Sequence, residues 1–203
     1  KGFSENTKTT NESGIFVGVQ CKVSSKLVVS AYADRYQFPW CRYTIDAPSK
    51  GNDYLLYADY MLNYLSSISF RYKFEVKEEN DYNFSIDKPM PITTESWRCQ
   101  FNVNVNESIQ LKNRIDYLHH TDAQQQQRSG FAISQDIRYH PVSNKYSLSL
   151  RYALFDTESY EERIYSYEPD ALFNFSMPSY YYQGYRCCVL FSTQLTDYLH
   201  TTI

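Results

Sequence analysis

Charged side chains recur at every second position inside otherwise apolar runs, and that spacing sets the chemistry open to this chain. The set is Asp34, Asp59, Arg71, Glu75, Arg98, Arg114, Asp116, Asp136, Arg138, Arg151 and Arg186. Successive side chains of a strand point to opposite faces, so this spacing gathers the charges on one face. Opposite charges on neighbouring strands then lie about 4.5–5.5 Å apart at Cβ and can pair. One role for the set is a network of salt bridges that fixes strand register. The other is the lining of a lumen, where charge tunes what passes or binds. Arginines outnumber carboxylates in the set, which favours anionic solutes.

Other reactive constellations are sparse. His119 and His120 lie beside Asp122, but adjacent strand positions diverge, so one metal ion held by both rings is awkward. His140 and His200 lie next to short turns, which leaves no Ser-His or Asp-His set for a hydrolase. No glycine-rich phosphate loop occurs. The five cysteines are odd in number and irregularly spaced, and most fall in phase with apolar neighbours. No catalytic residue, metal or cofactor is therefore expected, and the chain reads as non-enzymatic. Two aromatic clusters, Phe38 with Trp40 and Tyr180 with Tyr181 and Tyr182, are candidates for binding carbohydrate or an envelope protein. The competing role is an interfacial girdle or loop packing.

The elements that would position these residues are long strands. Ser67 to Lys77 alternates without a break, with Ile68, Phe70, Tyr72, Phe74 and Val76 on one side and Arg71, Lys73 and Glu75 on the other. A strand of roughly 9–11 residues crosses a bilayer obliquely, and globular strands average about 5–6. The same alternation predicts strands over 14–23, 26–38, 54–62, 97–105, 109–117, 131–139, 146–154 and 185–194, with a further strand reaching Ile203. Short turns rich in Ser, Asn and Asp alternate with longer polar connections at 38–53, 78–94, 119–129 and 157–184. Short turns on one side and long loops on the other characterise outer-membrane barrels. The expected fold is all-β, an antiparallel up-and-down transmembrane barrel of about ten strands over 1–203. Residues 157–184 form a long extracellular excursion carrying a local ribbon, with parts of 163–167 pairing with 171–176. Tyr36, Phe38, Trp40, Tyr117 and Tyr139 are expected to end the apolar faces as an aromatic girdle. A soluble sandwich or lipocalin-like binding protein, with apolar side chains inward, is the alternative.

Composition agrees with the barrel. Net charge is −3 and no basic run occurs, so no nucleic-acid surface is indicated. Tyrosine, at 21 of 203 residues, suits membrane interfaces, where the ring is apolar and the hydroxyl wet. The chain starts at Lys1 without an initiator Met and stops within a strand, as a fragment of a longer precursor would. Outer-membrane lipid is the expected partner and the bacterial outer membrane the expected location.

Two stretches carry a family resemblance. Arg35 to Tyr54 (RYQFPWCRYTIDAPSKGNDY), together with Arg151 to Pro178 (RYALFDTESYEERIYSYEPDALFNFSMP) and the following Gly184-Tyr185-Arg186, resembles the C-terminal barrel region of Bacteroidetes helix-hairpin-helix domain proteins. The resemblance spans nearly the whole chain and implies an outer-membrane β-barrel. In that family a small helix-hairpin-helix part precedes the barrel. Nothing in this chain matches that part, so the alternative of a DNA-related role is not implied for this segment. Cys187-Cys188 and the run Gln124 to Gln127 depart from the family pattern.

Overall fold

Alternation carries through into strands along nearly the whole chain. A computed structural model describes residues 11–42, 45–81, 88–141, 145–170, 176–196 and 199–202. Its strands are β1 (Ser13–Lys22), β2 (Leu27–Phe38), β3 (Ser49–Asn63), β4 (Ser66–Asp81), β5 (Lys88–Asn104), β6 (Ile109–Thr121), β7 (Gln127–Tyr139), β8 (Tyr146–Thr157), β9 (Ile164–Tyr165), β10 (Ser179–Tyr180), β11 (Gln183–Thr196) and β12 (Leu199–Thr202). Ten of them form one sheet in the order β1-β2-β3-β4-β5-β6-β7-β8-β11-β12. Chain order and sheet order thus agree, as an up-and-down antiparallel arrangement requires. β1 and β12 end that order, and no pairing joins them among the described residues.

Strand β9 pairs with β10 as a separate ribbon, and an isolated bridge joins Glu168 to Ser176. The expected partner of 163–167 was 171–176. The observed partner is 176–180, and 171–175 lie outside the described residues. The strands also run further than their apolar alternation. β3, β4 and β5 contain 15, 16 and 17 residues, or roughly 50 Å at about 3.3 Å per residue. The connections expected at 38–53 and 119–129 shrink accordingly, to 39–48 and 122–126. Polar residues continue the β ladder here because backbone pairing makes no demand on side-chain polarity.

The turns are closed by side chains that satisfy backbone N–H groups. Ser24 Oγ accepts from the N–H of Lys26 and Leu27, and Asn106 Oδ1 accepts from Ser108 and Ile109. Asp122 Oδ1 accepts from Gln124 and Gln126, which holds Gln125 at a φ of 62°. These residues favour turns because their short polar side chains stand in for a missing ladder partner.

Exposure along the strands is inverted relative to a soluble sheet. On β6, Arg114 and Asp116 are 5% and 6% exposed, whereas Ile115 between them is 53% exposed. On β8, Arg151 is 3% exposed and its neighbour Tyr152 43%. Register keeps each set together across strands: Ile133 faces Leu154, which also faces Tyr185, while Asp136 faces Arg151.

The chain divides into two compact units. The first comprises Lys1–Ala58, Arg71–Trp97 and His119–Arg128. On its covered face lie Tyr36, Phe38, Ile45 and Ile92, with Tyr36 and Phe38 edge to face at 5.8 Å and the Arg42 guanidinium 4.0 Å above the Phe38 ring. Tyr36 and Phe38 are therefore not girdle residues. They share the even parity of Asp34 rather than the odd parity of Val29, Ala31 and Ala33. Trp40, at 71% exposed, does face outward. A Cβ on Gly51 would run into the Tyr36 ring, so glycine makes the recess in which that ring lies.

The second unit comprises Asp59–Phe70, Arg98–Leu118 and Ser129–Ile203. Its core is Ala132, Ala153, Ile164 and Tyr180, with Leu118 and Phe155 packed against them. Ile164 and Tyr180 come from the excursion and the others from strands. Residues of 158–170 and 176–182 thus fold back over the polar face of β6, β7 and β8. Phe155 and Tyr180 stack at 4.8 Å with rings 12° apart.

Candidate functional site

The covered polar face is the part of each unit that concentrates chemistry. In the first unit Asp53, 3% exposed, accepts a hydrogen bond from the Tyr32 hydroxyl at 3.2 Å and pairs with Lys73 at 3.1 Å. Lys73 also reaches Glu75 at 3.1 Å. A buried carboxylate needs such partners, because an unpaired charge away from water costs several kcal/mol. Asp34 lies on the same face of β2, opposite Phe16 of β1. Arg71 lies there too, half-buried, and its Nε has no hydrogen-bond partner among the described residues.

In the second unit Asp116 lies between two arginines. One oxygen takes Arg98 Nε at 2.6 Å and the other Arg114 Nε at 2.5 Å. Arg151 makes a two-point contact with Asp136, Nε to Oδ1 and Nη2 to Oδ2, each at 2.5 Å. Such fork-to-carboxylate pairs are short and directional. The remaining donors of these arginines turn to the excursion. Arg151 donates to Ser166 Oγ at 3.2 Å and to the Tyr167 carbonyl, and Arg114 reaches the Tyr165 carbonyl at 3.3 Å. From the excursion, Glu168, 2% exposed, accepts the Tyr180 hydroxyl at 2.8 Å and Arg186 Nε at 2.7 Å. Burial first, and the Glu168 carboxylate second, push the Tyr180 phenol up to about 12.

Of the eleven charged residues predicted for this face, the structure brings Arg98, Arg114 and Asp116 into one cluster and Asp136 and Arg151 into another. Glu75 joins Lys73 and Asp53, and Arg186 pairs with Glu168. Asp59 is half-buried on β3, and Arg138 is exposed at the turn end of β7. Sequence reasoning put Lys73 on the charged face of its strand without making it a site residue, and it did not single out Asp53 or Glu168. Asp53 follows the parity of Asp59, which would have found it. Glu168 lies in the irregular excursion, where alternation carries no signal.

The aromatic candidates separate. Phe38 and Tyr180 are each 2% exposed and belong to the cores, so neither can bind a partner in this arrangement. Burial won because both lie on the covered side of their elements. Tyr181 and Tyr182 remain exposed, and Tyr181 contacts Tyr160 and Tyr182 edge to face. Tyr182 adopts a φ of 57°, fixed by its N–H to Thr157 Oγ1 at 2.7 Å and its carbonyl to the Thr157 N–H at 3.0 Å.

His120 lies on the covered face with Nδ1 3.0 Å from Thr94 Oγ1, while the parity of His119 sends it to the other face. Among the described residues no group of three His, Cys, Asp or Glu side chains is placed to hold a metal ion. All five cysteines are free. Comparison with protein families finds no match for this sequence, and comparison with curated proteins finds none either.

Proposed function

We propose that this chain forms an outer-membrane β-barrel, alone or with further strands that close the sheet, and serves without enzymatic chemistry as a passage for small polar solutes. The supporting observation is the inverted exposure along the strands, with Ile115, Ile133, Leu154 and Val189 outward and Arg114, Asp116 and Arg151 covered. Lipid would remove the outward apolar area from water, at roughly 25 cal/mol per Å². A soluble sandwich or lipocalin-like protein would need the opposite assignment of faces. The resemblance to the barrel region of Bacteroidetes helix-hairpin-helix proteins supports the same reading. Its two motifs supply Tyr36, Phe38, Gly51 and Asp53 in one unit and Arg151, Ser166, Glu168 and Arg186 in the other.

A second reading, an envelope scaffold, is favoured by the excursion lying on the polar face. Arg114, Arg151 and Arg186 are all engaged by it, and an occupied lumen conducts little. Planar bilayers holding the purified chain separate the two. Discrete conductance steps support passage, whereas silence with stable co-purification of an envelope partner supports the scaffold. A detergent-free, water-soluble monomer overturns both.

A further inference from the structure

The strand segments of the second unit place Arg98, Lys112, Arg114, Arg138, Arg151 and Arg186 on the polar face, with Arg138 and Arg186 exposed, against Asp59, Asp116 and Asp136. Three cations are therefore in excess, and the excursion offsets one of them, Arg186, with Glu168. Asp116 is shared by Arg98 and Arg114, and both oxygens of Asp136 are taken by Arg151. Lys112 and Arg138 make no salt bridge among the described residues, and both line the same two cavities. The smaller, about 120 Å³, is bounded by Asp136 and Arg151 and by Tyr167 and Pro169 of the excursion. The larger, about 440 Å³, continues to Ser67, Asn102 and Asn104 near the short turns, and falls within the roughly 300–1,000 Å³ of small-molecule sites.

We propose that Lys112 and Arg138 form a binding site for the phosphate group of a small free solute, entered from the short-turn end of the polar face. Two cations that form no salt bridge among the described residues, Lys112 half-buried and Arg138 exposed, border the same cavities. The only carboxylate beside them is Asp136, already held at both oxygens by Arg151, and such an excess of positive charge concentrates anions. A lysine ammonium supplies a point charge and an arginine a planar fork, and together they match a dianion better than a single carboxylate. The amides of Gln110, Asn102 and Asn104 then face whatever carries the phosphate. A lipid headgroup is disfavoured because the site is on the face of β6 and β7 opposite Ile115 and Ile133.

This inference rests on the membrane reading only for the route by which solute arrives. Its test is calorimetric titration of the detergent-solubilised full chain with inorganic phosphate at low ionic strength. Lys112→Gln with Arg138→Gln should weaken phosphate binding at least tenfold, while Lys22→Gln with Lys26→Gln, the same change in net charge on the exposed end of the first hairpin, should leave it unchanged. Unchanged circular dichroism and unchanged gel migration without boiling confirm that both variants fold. No saturable binding by the wild-type chain overturns the site, as does equal affinity in the Lys112/Arg138 variant. Binding without bilayer conductance upholds the site and overturns passage, and conductance without binding does the reverse.

Discussion

At the scale of residues, stability and chemistry meet at Arg151. Its guanidinium is covered, bound at two points by Asp136, and turned to Ser166 and the Tyr167 carbonyl with its remaining donors. Replacing it by alanine leaves Asp136 without its cation and the Tyr167 carbonyl without that donor. Loss of one partner from a buried pair costs roughly 3–5 kcal/mol, so Arg151→Ala should lower the urea midpoint of the folded chain by that equivalent. A loss below about 1 kcal/mol would mean that water reaches Asp136 freely. Tyr180 gives a pH test of the same network. Its phenol is pushed up to about 12 by burial and then by Glu168, from about 10 in an unfolded chain. The folded state therefore keeps a proton that the unfolded state releases. The resulting stability is complete below pH 10 and is lost as pH rises through 12. Tyr180→Phe cannot ionise, so its stability should fall less steeply across that window than the wild type's, as read by denaturant titration at successive pH values. Equal slopes would show Tyr180 titrating as an ordinary surface tyrosine.

At the scale of elements, parity decides which side chains face outward, where the proposed barrel would meet lipid. Ile133 on β7 faces Leu154 on β8, on the exposed side of both. An arginine there would put a charge among the outward apolar side chains, at a cost of roughly 2–4 kcal/mol near a bilayer midplane. Ile133→Arg should accordingly fold poorly into phospholipid vesicles, whereas Ser134→Ala, one position along and on the covered face, should fold like the wild type. Equal folding of the Ile133 variant would remove lipid from that face. The same parity explains what the sequence disclosed. Each long strand and the sheet order were legible because side chains alternate without interruption, and so was the polar face that Asp136 and Arg151 share, though not their pairing. Tyr36 and Phe38 misled because aromatic type argued for a girdle while their even positions placed them with Asp34. The ends of β3 to β5 were hidden, since polar residues extend a ladder without any apolar rhythm. Glu168 was hidden as well. Its role depends on the pairing of 164–168 with 176–180, which no periodicity announces.

At the scale of the whole molecule, the question is what the polar face does once it is covered. Among the described residues, the contacts that carry the excursion on the second unit include Arg114 to Tyr165, Arg151 to Ser166 and Tyr167, Arg186 to Glu168, Cys188 to Pro169, and the Phe155–Tyr180 stack. Most are polar, and all lie on the side of the strands away from the apolar face. A segment meant only to reach outward would have no need of buried arginine partners. An occlusion held by a charged clasp can open at modest cost, because its ions regain hydration when they part. Glu168 is the central member, since it alone accepts from both Tyr180 and Arg186. Glu168→Gln keeps its shape but removes the charge, and charge-assisted hydrogen bonds are roughly twice as strong as neutral ones. The variant should expose 158–182 to trypsin at Arg163 several-fold faster than the wild type. In planar bilayers it should also show a larger or more frequently open conductance. Faster cleavage without any change in conductance would make the excursion a structural cover. Unchanged cleavage would show that the stack of Phe155 on Tyr180, worth about 0.5–1.5 kcal/mol beyond its buried area, holds the segment without help from the clasp.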